Sequence, residues 1–588
     1  MCGIAGIVDF ERPASLAGDR LQAMLRRLQH RGPDGTGWRD CGHAILGANR
    51  LAQVDRAGGA QPMTCPEGRW TVVFNGEIHN HRELRERLDG TWKFRTRSDT
   101  EVLLAAIATW GEAALPRLNG MFAFFAWDAE NKRGLCVRDR LGVKPLAWCV
   151  RNGRFSFASE AKALLECLPD RPVANFDAVL EYLVAPFFSG VARPMFEGLE
   201  YLAPGHLLRI AEDGIEVREW WRYELRQGVE TDPERLAPKL RNALEQGVAR
   251  SLDTDTSAAV LLSGGLDSTI LAACAGRRSP AVAYTICFEG QDHFDYARSL
   301  MVKADDTPYA VEASAALGTE HRLVPVSRAD YARDLRTLAV QNDALPAWEQ
   351  ELAQHHLARA VSRDFRAMLV GDAADETHFG YGFLLDDSVI EHPRALLRRF
   401  GSPPLGRALD PDTVEALAAH YARLSAEAGH EGSSRAGRLR AATHLIVRRW
   451  LPRLLHNGDI HGMAHGVEAR VPFADAELLG LAVRVHPELG IRDGIEKWLL
   501  REAVRKLVPE SIRTRRKSAL PRDEGAEEVL RQEARRALDA SAPLIGTWLD
   551  LRALRSMCDA PGRLGQPGLL FRVIALHHWA EYHGVRLP

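Results

Sequence analysis

The stretch that decides the fold is Ala258-Ala259-Val260-Leu261-Leu262-Ser263-Gly264-Gly265-Leu266-Asp267-Ser268-Thr269. Ala258 to Leu262 is a short, unbroken apolar run, as expected of a strand buried on both faces of a parallel sheet. It stops at Ser263, Gly264 and Gly265, which carry almost no side chain, and a helical pattern begins near Leu266. The stretch therefore reads as strand, phosphate loop, helix. Two glycines let the main chain approach a ligand closely, and the opening helix turns free N–H groups and the positive end of its dipole back at the loop. Such a site wants an anion.

Asp267 and Ser268 follow on the first helical turn. A carboxylate there repels a phosphate unless a cation such as Mg²⁺ lies between them. There is no Gly-Lys-Ser/Thr ending, so this is not the loop that holds β- and γ-phosphates. The complete SGGLDS element, set between these elements, resembles the pyrophosphate loop of the ATP pyrophosphatases, which cleave ATP to AMP and pyrophosphate while adenylating a substrate. From Glu234 onward the chain reads as helix, strand, loop, helix and again strand at Ala281 to Phe288. That alternation predicts a doubly wound parallel sheet with the loop at the C-terminal ends of its strands.

A chain of 588 residues exceeds one ordinary core, so two or more domains are expected. Acidic and basic residues nearly cancel, 78 against 76, which points away from nucleic acid and membrane surfaces. No apolar segment approaches the length of a membrane span, and the N-terminus lacks a basic-then-apolar leader, so a cytoplasmic location is expected. The nine cysteines lack C-x-x-C pairing and read as reduced core residues, with Cys2 the exception. With Met1 removed, Cys2 would carry a thiol and an α-amine of pKa near 8, nucleophile and base in one residue.

Residues 1–165 resemble, motif after motif, the glutaminase domain of class II glutamine amidotransferases. The matches are Met1-Cys2-Gly3-Ile4, His30-Arg31-Gly32-Pro33-Asp34-Gly35, Arg50-Leu51-Ala52-Gln53-Val54-Asp55, Phe74-Asn75-Gly76-Glu77-Ile78, Ser98-Asp99-Thr100-Glu101, Asn119 to Phe124 and Arg138 to Leu146. The resemblance implies Cys2 as nucleophile and an oxyanion hole from the Asn75 side chain and the Gly76 N–H, where one donor is worth roughly 3 kcal/mol of barrier. Arg50 would grip the glutamine carboxylate and Asp99 its ammonium, with Val54, Asn75, Gly76 and Glu77 completing the glutamine site. Position 97 is Arg where the family has Gly. Trp70 to Phe74 and Met121 to Trp127 read as strands, and Leu16 to Gln29 and Thr100 to Trp110 as helices, which suits the layered αββα fold of N-terminal nucleophile hydrolases. Turn signals such as Ala203-Pro204-Gly205 place the domain boundary near residue 225, giving a glutaminase domain over 1–225 and an ATP-pyrophosphatase domain over 226–588.

Taken together, the halves resemble the glutamine-hydrolysing asparagine synthetases. Leu317-Gly318-Thr319-Glu320-His321, Gly466 to Phe473 and Glu496-Lys497 add to this. A second acidic cluster, Val370-Gly371-Asp372-Ala373-Ala374-Asp375-Glu376, falls where the family has Ser-Gly-Asp/Glu-Gly-x-Asp-Glu, so Val370, Ala373 and Ala374 depart from it. The resemblance implies ATP bordered by Leu262, Ser263, Gly264, Gly265, Asp267, Ser268, Ile286, Val370 and Gly371. It implies Mg²⁺ held by Asp267 and Asp375, with Asp372 and Lys497 catalytic.

Where many relatives read Asp-Glu-Pro-x-x-Asp-Ser-Ser, this chain reads Asp343-Ala344-Leu345-Pro346-Ala347-Trp348-Glu349-Gln350. An acceptor pocket carrying Trp348 and Glu349 would disfavour aspartate and suit a larger acid with an apolar, aromatic or basic body. The leading reading is an enzyme that makes an amide from an acid, ATP and glutamine, on aspartate or on another carboxylic acid of a specialised pathway. A non-catalytic glutamine or nucleotide sensor would have little use for Cys2 and Lys497. A homodimer is compatible with the sequence, which fixes neither the oligomeric state nor an ammonia channel.

Overall fold

The computed structural model describes residues 2–187, 193–225, 230–294, 304–348, 350–391, 395, 411–427, 434–518, 526–561, 564 and 566–587. Two six-stranded sheets are built from residues up to Glu219, and a five-stranded sheet from residues from Ala258 onward. The strand Cys2–Val8 runs antiparallel to Ala44–Arg50 in a register that sets Cys2 opposite Arg50. In the facing sheet, Trp70–Ile78 pairs antiparallel with Gly120–Asp128. The two sheets meet through a core that includes Ile4, Leu46, Val73, Phe125 and Phe157, with the Phe125 and Phe157 rings 4.5 Å apart. Helices Gly18–Arg27 and Asp99–Trp110 cover the outer faces, giving the αββα layering. Alternation of large apolar residues along each strand, one face to this core and one to a helix, is what makes four layers pack.

The third sheet is wholly parallel, in the order Glu320–Val326, Val282–Phe288, Ala258–Leu261, Ala367–Leu369, Glu468–Arg470. Ala258–Leu261, the first of these strands in the chain, lies at the centre, with the next strand Val282–Phe288 on one side and Ala367–Leu369 on the other, so the turn after Leu261 opens at a topological switch point where open α/β sheets bind ligands. The chain then enters the helix Leu266–Gly276 through Gly265. Gly264 has φ +68°, and a Cβ on it would lie 2.4 Å from the Ala310 nitrogen, so glycine is required there on both grounds.

The last helices of the chain pack back against its first half. Helices Ala526–Ala540, Leu551–Asp559 and Pro567–His583 return to the first half, where Leu530, Ala534, Trp548 and Trp579 share one core with Leu164, Tyr182, Leu183 and Phe196. Short bridges extend this return, with Arg586 donating its N–H to Pro172 and Ala174 donating to Arg586.

Candidate active site

The first site assembles around Cys2. Its thiol is almost wholly buried, and burial pushes it above the usual thiol range against the lowering effects of the amino terminus, the Leu51 N–H and Arg50. The Cys2 main-chain nitrogen donates to Asn75 Oδ1 at 3.2 Å, which leaves Asn75 Nδ2 buried and without a partner. An orphaned amide donor beside a nucleophile is what an oxyanion hole requires before its ligand arrives. Gly76 follows at φ +151°, with Met121 O only 2.0 Å from where a Cβ would stand, so this strand position admits no side chain.

Arg50 is turned by the loop after its strand, donating to the carbonyls of Arg56 at 2.7 Å, Asp55 at 2.7 Å and Val54 at 3.3 Å. Asp99 lies buried just after the Ser98 cap of its helix and accepts from Ile78 N at 3.0 Å; burial raises its pKa. At the departure from the family pattern, the Arg97 N–H donates to Asp55 Oδ2 at 2.8 Å. Glu77 Oε1 accepts from Arg470 at 2.9 Å, across to the parallel sheet. Gln61, which no motif marked, clamps both main-chain groups of Phe74 and brings its amide 3.5 Å from the Cys2 sulfur.

The second site is a cavity of about 910 Å³ over the C-terminal ends of the parallel strands. Leu262, Ser263, Gly265, Asp267, Ser268, Ile286, Val370, Gly371, Asp372, Asp375 and Lys497 all line it; Gly264 makes the turn behind. Ser268 Oγ accepts from Ser263 N at 3.1 Å and Ser263 Oγ from Gly265 N at 3.3 Å, which holds the loop in its anion-cradling shape. Ala373 takes φ +72°, the left-handed value that glycine reaches without cost, and then caps the short helix Ala374–Thr377 carrying Asp375 and Glu376. The acidic loop thus keeps its turn despite the missing glycine.

Lys497, also left-handed at φ +54°, sets its ammonium 2.5 Å from Asp267 and 2.6 Å from Asp375, and Lys517 adds a 2.7 Å contact to Asp375. Burial raises the Asp375 carboxyl, but these two lysines outweigh it and hold the group well below the carboxylate range. Among the described residues Asp372 has no such cation in contact, and burial with the nearby Asp375 and Asp267 pushes it up to about 6 despite Lys517. Asp267 Oδ1 is buried and unpartnered, and it and Asp375 converge on one cation position. This pair fits a divalent ion. Sequence reasoning missed Lys517 and Arg515. Arg515 bonds Gly264 O at 3.0 Å and Asp306 at 2.5 Å, and the only signal was the basic run Arg513-Thr514-Arg515-Arg516-Lys517.

Trp348 does not line this cavity. Its ring stacks at 4.3 Å on Phe187, which in turn packs at 4.4 Å on Trp450, behind the wall formed by Tyr381. The whole Asp343–Ala347 turn is buried, because Arg453 donates to Ala344 O and Leu345 O, and Tyr182 to Pro346 O. Glu349 falls outside the described residues.

A buried ionic seam joins the sites. Arg31 donates to Cys2 O at 3.3 Å, to Glu160 at 2.7 Å and to Asp459 at 2.7 Å. Asp459 sits on the helix Leu451–Met463, whose preceding residue Gly458 lines the cavity next to Asp372. Lys144 lies 3.6 Å from Asp459 and 3.8 Å from Glu468, and Arg470 spans Glu468 and Glu77.

A glutamine amidotransferase domain model matches residues 1–221, and an asparagine synthase model matches residues 239–581. The chain belongs to the asparagine synthase family. Asparagine synthetase [glutamine-hydrolyzing] 3 of Bacillus subtilis is 28% identical over 100% of this chain and 99% of its own length. Asparagine synthetase [glutamine-hydrolyzing] 1 of the same organism is 27% identical over 89% of this chain and 87% of its own. Asparagine synthetase B of Escherichia coli is 28% identical over 88% and 81%. As in the family's two-part pattern, the amidotransferase match carries Cys2, Arg50, Asn75 and Asp99, and the synthase match carries Asp267, Asp375 and Lys497. Among the described residues no helix is long and apolar enough to cross a membrane.

Proposed function

We propose that this protein makes an amide from a carboxylic acid, using ATP and the side-chain nitrogen of glutamine, with residues 1–225 as the glutaminase unit and 226–588 as the synthetase unit. The observation that carries the reading is the seam: one helix, Leu451–Met463, offers Asp459 to the arginine that holds Cys2 O and Gly458 to the wall of the ATP cavity. Two unrelated activities would have no use for such a link.

At the first site, with Met1 removed, the Cys2 α-amine accepts the thiol proton and the sulfur attacks the glutamine amide carbon. Asn75 Nδ2 and the Gly76 N–H receive the oxyanion, ammonia leaves, and water releases glutamate from the thioester. Arg50 takes the glutamine α-carboxylate and Asp99 its ammonium. At the second site, an acceptor carboxylate oxygen bonds to the α-phosphorus of ATP as the bond to pyrophosphate breaks. Ammonia nitrogen then bonds to the acyl carbon as AMP departs, and a proton is lost to water. Lys497 and Lys517 stabilise the phosphate charge that develops, and the loop N–H groups orient the phosphates. Asp267 and Asp375 would hold Mg²⁺, which when bound neutralises phosphate charge.

Cys2→Ala tests the division of labour. The variant should lose glutaminase activity and keep synthesis driven by ammonium ions, with N-terminal sequencing of the parent showing Cys2 first. Glutaminase retained in the variant, or an intact Met1 in active protein, overturns the mechanism.

A further inference from the structure

The cavity has more wall than ATP uses. Strand-end residues such as Leu261, Ile286 and Met368 supply an apolar surface for the base, and the loop with its lysines supplies the phosphate seat. A second apolar surface comes from other segments: Leu357, Leu454, Tyr381, Phe383, Leu385 and Val389. It is rigid where it is aromatic. The Tyr381 and Phe383 rings stack 5.1 Å apart, and both pack on Trp450, at 4.9 Å and 5.8 Å. Phe383 and Leu385 are half-buried on this wall of the cavity.

Charge sorts the same way. Among the described residues, the cations lining the cavity are Lys497, Arg501, Arg515, Arg516 and Lys517, all from the two segments that flank the phosphate loop. Four are already engaged: Lys497 and Lys517 with Asp267 and Asp375, Arg515 with Asp306, and Arg501 with Glu496 at 2.7 Å. Among the described residues, no cation lining the cavity comes from the segments that form the second apolar surface. The ionisable groups facing it are acids, Asp372, Asp386 and Glu376, and Glu376 is bound by the Tyr381 hydroxyl. A second carboxylate on the acceptor would be buried there beside like charges, with no cation from the described residues of that wall to pair it.

We propose that the acceptor is a monocarboxylic acid whose body is apolar or aromatic, that Phe383 and Leu385 select it, and that a dicarboxylic acid such as aspartate is disfavoured. This rests on the adenylation reading above, and it assigns selection to these residues and not to Trp348. The test is calorimetric titration of the full-length protein with stable acyl-sulfamoyl analogues of the adenylate, one aspartyl and one 3-phenylpropionyl, with AMP as reference. The phenylpropionyl analogue should bind at least tenfold more tightly than the aspartyl one. Phe383→Ala should remove most of that advantage and leave AMP binding unchanged, and Leu385→Arg should narrow the gap by strengthening the aspartyl analogue. Equal or tighter binding of the aspartyl analogue to the parent protein overturns the proposal while the adenylation reading stands. Should neither analogue bind more tightly than AMP, the adenylation reading falls and the proposal with it.

Discussion

Replacing Arg470 by Met removes the cation at the centre of the seam and leaves its shape nearly filled. The Arg470 side chain is fully buried and donates to Glu77 at 2.9 Å, Glu468 at 3.3 Å, Gln53 at 3.1 Å and Ser251 O at 3.0 Å. Of the two carboxylates, Glu77 is raised well above its usual range by burial, whereas for Glu468 the amino terminus, Arg470 and Lys144 overcome burial and lower it to about 2. Removing Arg470 takes from Glu468 its closest cation and leaves it only the amino terminus and Lys144, 3.8 Å away, against its burial. Breaking a buried pair in this way costs about 3–5 kcal/mol. Glu468 can escape by taking a proton, which from an unfolded pKa of about 4.3 costs roughly 3.7 kcal/mol at pH 7, at 1.36 kcal/mol per unit. The loss should thus be about 4 kcal/mol at pH 7.

The sign of the pH dependence follows. In the variant the folded carboxyl binds a proton more tightly than the unfolded one, so its penalty shrinks by about 1.4 kcal/mol per unit as pH falls, to roughly 1 kcal/mol at pH 5. Urea unfolding at pH 7 and pH 5 measures both values, and adding Glu468→Gln should recover at least half of the loss at pH 7. A loss below about 1 kcal/mol at pH 7, or one that does not change with pH, refutes the assignment of charge in the seam.

Asp267→Asn should cut AMP formation by about 100-fold or more, some 2.7 kcal/mol of barrier, and leave glutaminase intact; AMP and glutamate assays separate the two. Lys517→Ala should raise the pyrophosphate concentration needed for ATP–pyrophosphate exchange by about tenfold, and Lys517→Arg should restore part of it. In the parent protein, Glu468 is depressed to about 2, so its stabilisation is complete above the unfolded value of about 4.3 and fades as pH falls toward 2. Acid unfolding of Glu468→Gln should lack that component, which potentiometric proton uptake would detect.

What could be read from the sequence was local. Ala258 to Thr269 carries its strand, turn and helix within twelve adjacent positions, and it folds as read because burial pattern and glycine geometry act at short range. The strands at Trp70 and Met121 and the helix at Thr100 were legible for the same reason. Folding brings Asn75 beside Cys2 and Asp99 beside Ile78, and nothing in composition fixes either approach. The rest depends on long-range approach. Arg470 meets Glu77 across 393 positions and Lys497 meets Asp267 across 230, and no periodicity encodes either. Trp348 looked like a pocket residue because its segment aligned with one. Phe187 and Arg453 instead hold that turn in the core, and Tyr381 and Phe383 stand at the cavity. The return of the C-terminal helices to the first core was equally invisible, since their apolar stripes are satisfied by any partner of matching shape.

The central claim is that ATP activates a carboxylate which glutamine nitrogen then attacks. The most direct measurement is mass spectrometry after incubation with ATP, ¹⁵N-amide glutamine and carboxyl-¹⁸O acids, both aspartic and apolar. The account predicts one ¹⁸O in the AMP and ¹⁵N in the product amide, in equal amounts. Label appearing in orthophosphate with ADP as product, or AMP formed without ¹⁸O, would contradict it.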